Sequence, residues 1–264
     1  MSRHPLTPWG LVLVMVLGFW GIRARGPQGV RHPHAEAISR SLEAAEQRQD
    51  DRPLLLFIGD SRLHHWLPPA DALEQAWGAD APRTARVTAA GLSLQTLAPM
   101  QARVLALAPS WVVIQLDALV PSGRDRGAAF SRLRRRLLAP RIAGPERTDL
   151  HREKLEGRWA QGEPGAPAAA LAASEEFLRA LGETTVRVLT LPRSPAELAL
   201  ADRDWLQAQQ DQAGAMLTGP NQALIRAQAP ADGDAAFHDH VHLSETGRAG
   251  SLPATLELLR AQVR

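Results

Sequence analysis

Cysteine and tyrosine are absent from the 264 residues, and Lys154 is the only lysine. Without cysteine there is no disulfide, no thiolate metal site and no cysteine nucleophile. Without tyrosine, and with one lysine, almost nothing titrates between neutrality and the arginine range. A formal net charge of only +2 therefore drives the sequence pI to about 10.2. That value is no sign of nucleic-acid binding, and no nucleic-acid partner is expected. The tightest basic run, Arg132-Leu133-Arg134-Arg135-Arg136, reads as a solvated helix face. Hydrophobic residues make up 45% of the chain, enough for a sizeable core.

Long apolar runs are scarce too. The longest, PWGLVLVMVLGFWGI at 8–22, falls short of the roughly 20 residues that span a bilayer comfortably. Its length suits a signal-peptide h-region, but no small-x-small cleavage site follows it cleanly. It reads as an uncleaved signal anchor within 1–30, with Trp9 and Trp20 suited to the two interfaces. Arg23, Arg25 and Arg31 outnumber Arg3 across it, which pulls against export of the C-terminal domain. Residues 31–52 read as a linker and then a helix, with Ala35, Ile38, Leu42 and Ala45 at helical spacing.

The remainder, 53–264, alternates apolar runs with helical periods. Strands are expected from Leu54, over 85–93, over 110–120 and over 184–192. Helices are expected near 69–77, 94–109, 127–138 and 167–183, through an Ala- and Gln-rich stretch at 195–228, and near 253–263. Residues 121–168 are rich in Arg, Gly and Pro and suggest a surface insertion beyond the 127–138 helix. This order predicts a three-layer α/β/α fold around a parallel sheet of four to five strands, preceded by the N-terminal hydrophobic helix. Ligands of such sheets bind at the carboxyl ends of the strands. The segments there are Gly59-Asp60-Ser61, Gly91-Leu92-Ser93 and Gln115-Leu116-Asp117.

Ser61 thus sits at a strand-to-helix turn, where free N–H groups of the next helix can face an anion. A serine hydroxyl needs a base to become a nucleophile. The candidate is His242 in Asp239-His240-Val241-His242-Leu243-Ser244, where Asp239 can accept from Nδ1 and leave Nε2 free for Ser61. Other readings stand beside this one. Asp60 and Ser61 suit a turn and helix cap with no chemistry. His64 and His65 read as helix-face or pocket-rim residues, and Trp66 and Trp111 as core. His238, His240 and His242 share one face of an extended segment beside Asp239, a conceivable metal site, but no fourth ligand is specified. No metal and no cofactor are expected.

The blocks GDSR at 59–62, Gly91 after the second strand and DHVHLSETG at 239–247 resemble the SGNH/GDSL hydrolase family. The resemblance runs in block order from about residue 54 to the C-terminus and implies a flavodoxin-like sheet. It implies a catalytic Ser61, His242 and Asp239, with the N–H groups of Ser61 and Gly91 as oxyanion donors. The family's third block typically carries an Asn whose side chain is another donor. WVVIQLDALV at 111–120 has none, and Gln115 is the nearest amide substitute. Arg62 could hold a substrate carboxylate or sugar oxygen. The activity implied is a serine esterase or O-acyltransferase acting on an acylated, chiefly O-acetylated, cell-envelope or extracellular polysaccharide. Expected partners are that glycan, the membrane through the N-terminal helix, and a membrane acyltransferase. The expected location is the inner membrane, single-pass, with the domain in the periplasm. The missing Asn keeps a second function open, a non-catalytic SGNH-like domain that binds a glycan or a partner in polysaccharide assembly.

Overall fold

Five short runs pair side by side as parallel strands, the three inner ones rich in Val, Ile and Leu. The computed structural model describes residues 35–48, 50–121, 165–201, 203–239 and 241–263. Apart from the first two residues of its first helix, they belong to one compact unit, Ala37–Arg264. The strands are β1 (Leu54–Gly59), β2 (Arg83–Thr88), β3 (Trp111–Gln115), β4 (Thr185–Thr190) and β5 (Gln222–Arg226). Their order across the sheet is β2-β1-β3-β4-β5, the flavodoxin-like arrangement of a doubly wound sheet. The first strand lies inside the sheet, β2 is added on one side of it and β3 on the other, so the strand order reverses between β1 and β3. The carboxyl ends of β1 and β3 therefore border the crevice where such sheets hold ligands.

Alternate strand residues feed two cores, because successive side chains point to opposite faces. Leu54, Leu56, Ile58, Val112, Ile114, Val186 and Val188 pack on one face. Helix α1 (Ala35–Gln47) covers them with Ile38 and Leu42, as its spacing predicts, and α7 (Ala168–Ala180) adds Phe177 and Leu178. On the other face Leu55, Phe57, Val113 and Leu189 meet Leu63 and Trp66 of α2 (Ser61–Trp66), and Leu73 of α3 (Ala70–Trp77). Leu256 and Leu259 of the last helix complete that layer. Trp66 is core, and its Nε1–H donates to Thr255 Oγ1 at 3.2 Å, tying α2 to the last helix. Trp111 is only half-buried and packs at the edge of the same layer.

Several boundaries differ from the sequence expectation. The apolar run at 110–120 is not one strand. It leaves the sheet after Gln115 and turns into a short helix, α6 (Leu116–Leu119), buried like the strand before it. The helical stretch at 94–109 is broken into α4 (Leu94–Leu97), a 3₁₀ turn at Ala98–Met100 and α5 (Gln101–Ala106). The Ala- and Gln-rich stretch is two helices, α8 (Pro195–Leu200) and α9 (Arg203–Met216), followed by β5. The last helix, α10 (Glu245–Gln262), begins well before residue 253 and keeps Pro253 inside it.

Among the described residues no helix is long and apolar enough to cross a membrane. The segment read as a signal anchor, the 132–136 arginine run, the 127–138 helix and most of the surface insertion lie outside the described residues.

Candidate active site

The crevice side of β1 ends at Gly59, whose lack of a side chain is a packing necessity. A Cβ there would lie 2.6 Å from both Gln115 Oε1 and Leu63 Cδ2. The next residue, Asp60, caps α2, its Oδ1 accepting from the Arg62 N–H at 2.8 Å. The cap reading made from the sequence is therefore correct for Asp60. Ser61 comes next as the first helical residue, with its side chain at the sheet edge. Its partner comes from the other end of the chain.

An antiparallel bridge between Phe237 and Leu243 brings the stretches carrying Asp239 and His242 together. His238 N–H donates to the His242 carbonyl beside it at 3.0 Å. Asp239 turns its carboxylate inward, where Oδ1 accepts from the N–H groups of Val241 at 3.2 Å and His242 at 2.8 Å. The same carboxylate lies against His242 Nδ1, at 2.8 Å from Oδ2 and 3.0 Å from Oδ1. His242 Nε2 then stands 2.9 Å from Ser61 Oγ. Burial works to raise the Asp239 carboxyl, but the His242 side-chain and backbone hydrogen bonds outweigh it and hold it well below the usual carboxylate range. Ionised, it accepts from Nδ1–H and directs the Nε2 lone pair at Ser61.

Gly91, in the loop after β2, adopts φ +63°, a conformation that glycine takes at little cost. Among the described residues neither the Gly91 N–H nor the Ser61 N–H has a hydrogen-bond partner. Both are thus open to an incoming acceptor.

Gln115 and Arg62 do not do what the sequence suggested. Gln115 is fully buried, its Oε1 accepting from Asp60 N–H at 2.8 Å and its Nε2 donating to Asp117 Oδ2 at 3.1 Å. It braces the Asp60 turn from below and has no surface with which to meet a substrate oxygen. Arg62 also points inward. Its guanidinium donates to Glu197 Oε1, which accepts from Arg193 as well. Arg193 in turn donates to Asp117 at 3.1 Å. Arg62, Arg193 and Glu197 are almost or wholly shielded from solvent, so Arg62 is a structural cation and not a substrate ligand.

This buried cluster was not foreseen, since nothing in sequence spacing links 62, 117, 193 and 197. Burial works to raise the Glu197 and Asp117 carboxyls, and the two guanidinium groups outweigh it and hold both below the ordinary range. Asp60 moves the other way, raised by burial and by the Asp117 charge. Asp117 is therefore ionised but spent on Arg193, Gln115 and Gln209.

Around His242 lie further imidazoles. His65, one helical turn after Ser61 on α2, has its ring centre 4.8 Å from that of His242. His238 lies 5.3 Å from His65 and stacks on His242 at 5.6 Å. Burial and the neighbouring His242 and His238 push His65 down to about 4. His238, Asp239 and His242 offer ligand atoms all within 4.8 Å of one another. His240 lies outside the described residues.

No family model matches the chain, and no curated protein matches it in sequence. Among solved structures it is similar to a candidate platelet activating factor from Streptococcus pneumonia. That likeness has a TM-score of 0.46 and 16% identity, over 96% of this chain and 99% of that one. It is also similar to a family two carbohydrate esterase from Clostridium thermocellum solved with cellohexaose. There the TM-score is 0.39 and the identity 11%, over 80% of this chain and 63% of that one. Likeness at this distance carries no argument about activity or substrate, which must rest on the site.

Proposed function

We propose that the chain is a serine esterase of the SGNH type. One observation carries this reading, the hydrogen-bonded line from Asp239 through His242 to Ser61 Oγ. Ser61 Oγ attacks the ester carbonyl as His242 Nε2 takes its proton. The carbonyl oxygen becomes an oxyanion that accepts from the Ser61 and Gly91 N–H groups. The imidazolium formed is stabilised by Asp239 and then protonates the leaving alcohol. Water, activated by His242, releases the acid from the acyl-enzyme. A sugar hydroxyl in place of water gives acyl transfer.

The substrate class proposed is an O-acetylated cell-envelope or extracellular polysaccharide. The catalytic unit would be tethered through the apolar 8–22 segment on the periplasmic side of the inner membrane, beside an acyltransferase that supplies or shares the acyl group. This finer part leans on the apolar segment and the family resemblance of the sequence blocks.

The test is acetate release from p-nitrophenyl acetate and from acetylated xylan by purified protein. Wild type releases acetate, and Ser61→Ala and His242→Ala do not. Equal release by wild type and Ser61→Ala would contradict the reading. The inward commitment of Gln115 favours one second reading, a glycan-binding domain without turnover. Retention of acetylated xylan without acetate release would select it. A missing oxyanion donor alone costs roughly 10²–10³ in kcat, so slow hydrolysis stays the first reading.

A further inference from the structure

We propose that His65, His238 and His242 form a binding site for a divalent transition-metal ion, Zn²⁺ foremost, and that the ion holds the centre inactive by taking His242 from Ser61. The inhibitory half rests on the reading of Ser61 as a nucleophile; the binding half does not.

The three rings are brought together by rigid local structure. His65 lies four residues after Ser61, so the two side chains share one face of α2. His238 and His242 face each other beside the Phe237–Leu243 bridge. The ring centres are 4.8, 5.3 and 5.6 Å apart. Two imidazoles on a tetrahedral zinc, with Zn–N of about 2.1 Å, place their ring centres roughly 5 Å apart. The observed spacings bracket that value, and ligand atoms of His238 and His242 already lie within 4.8 Å of each other, so the movement the site asks for is a turn of the His65 ring toward them. His238 Nδ1 lies 3.7 Å from the Asp239 carboxylate, and the ring of His65 packs edge-on against that of His238. The Asp239 carboxylate on His242 Nδ1 completes the arrangement. A carboxylate on the far nitrogen of a histidine fixes its tautomer and strengthens it as a metal ligand. The group that prepares His242 as a base therefore prepares it equally as a zinc ligand.

The ion and Ser61 compete for one lone pair, since Nε2 already faces Ser61 Oγ at 2.9 Å. With zinc on Nε2, Ser61 keeps its proton and has no base. Water fills the fourth position. His64 stands outside the set. Its Nδ1 meets Thr88 Oγ1 at 3.4 Å, and the Arg86 and Arg248 charges lie on its side.

The test uses tag-free protein and titration calorimetry with zinc chloride. Wild type and Ser61→Ala each bind one Zn²⁺ per chain. His65→Ala and His238→Ala each weaken binding at least about tenfold, and His64→Ala binds as wild type does. Absence of binding to wild type and Ser61→Ala, or unchanged affinity in both His65→Ala and His238→Ala, overturns the site. Fluorophosphonate labelling of wild type then tests inhibition. Labelling stops with saturating zinc and returns with EDTA; labelling at an unchanged rate overturns the inhibitory half. A wild type that never labels contradicts the esterase reading and leaves the calorimetry to decide the site.

Discussion

Glu197→Gln removes one charge and almost no volume from the buried cluster behind the Ser61 turn. Glu197 is 0% exposed and accepts from both Arg62 and Arg193 through Oε1, while Oε2 has no partner. A glutamine can keep its oxygen on the two guanidinium groups and turn its amide toward the vacant Oε2 position. The loss is the negative charge that offsets two buried cations. Two unit charges 4 Å apart interact by about 4 kcal/mol at an effective dielectric of 20. Removing one partner of a buried pair typically costs about 3–5 kcal/mol. In a domain of this size 1 kcal/mol shifts Tm by roughly 2–4 °C, so the expected drop is about 6–20 °C. The carboxyl is held below its usual value, so its contribution is present above that value and fades as pH falls through the folded one. The gap between variant and wild type should be constant from neutral pH down to about 5 and narrow below it. Thermal unfolding followed by circular dichroism across pH reads both effects. A Tm loss under about 3 °C at pH 7, or a gap that widens on acidification, would refute the assignment of Glu197 as the charge that balances Arg62 and Arg193.

Two other perturbations probe the loop and the histidines. Gly247→Ala puts a Cβ 2.1 Å from the Ala236 carbonyl oxygen. That backbone also accepts from Ser244, so the strain should cost about 1–3 kcal/mol or more and displace the loop carrying Asp239 and His242. A Tm and acetate release equal to wild type would show that the loop is not held there. His65 is held down to about 4 in the folded chain, against 6.5 for the free side chain. The unfolded chain therefore binds the extra proton first, and stability should fall as pH drops from about 6.5 toward 4. His65→Gln should flatten that part of the Tm–pH profile, measured in EDTA; a profile as steep as wild type would exclude His65 as its source.

How much of this was legible in the chain depended on whether neighbours in sequence were neighbours in space. Leu54–Gly59 read as a strand because it is apolar and buried on both faces, and Thr185–Thr190 because its β-branched and apolar residues lie between Gly182 and Pro192. Asp239 and His242 read as a pair because three residues of one loop suffice to join them. β5 was missed because it is an edge strand. Only Ile225 of its five residues is buried, and Ala and Gln there mimic a helix face. The early start of α10 was hidden by Gly247, Gly250 and Pro253, each unfavourable in a helix. Packing overrides that at Gly247, where only a glycine lets α10 approach Ala236. Arg62 and Gln115 looked like ligands because one follows Ser61 and the other ends β3. Their inward turn depends on Glu197, Asp117 and Asp60, up to 135 positions away, and no local pattern announces such partners.

Whether Ser61 is a nucleophile primed by His242 decides the rest. Incubation with a fluorophosphonate probe, then digestion and mass spectrometry, tests it at the level of one residue. The expected result is a single adduct on Ser61 in wild type, lost in Ser61→Ala and strongly slowed in His242→Ala. Folded wild-type protein that carries no adduct on Ser61, or labels at the same rate without His242, would contradict it.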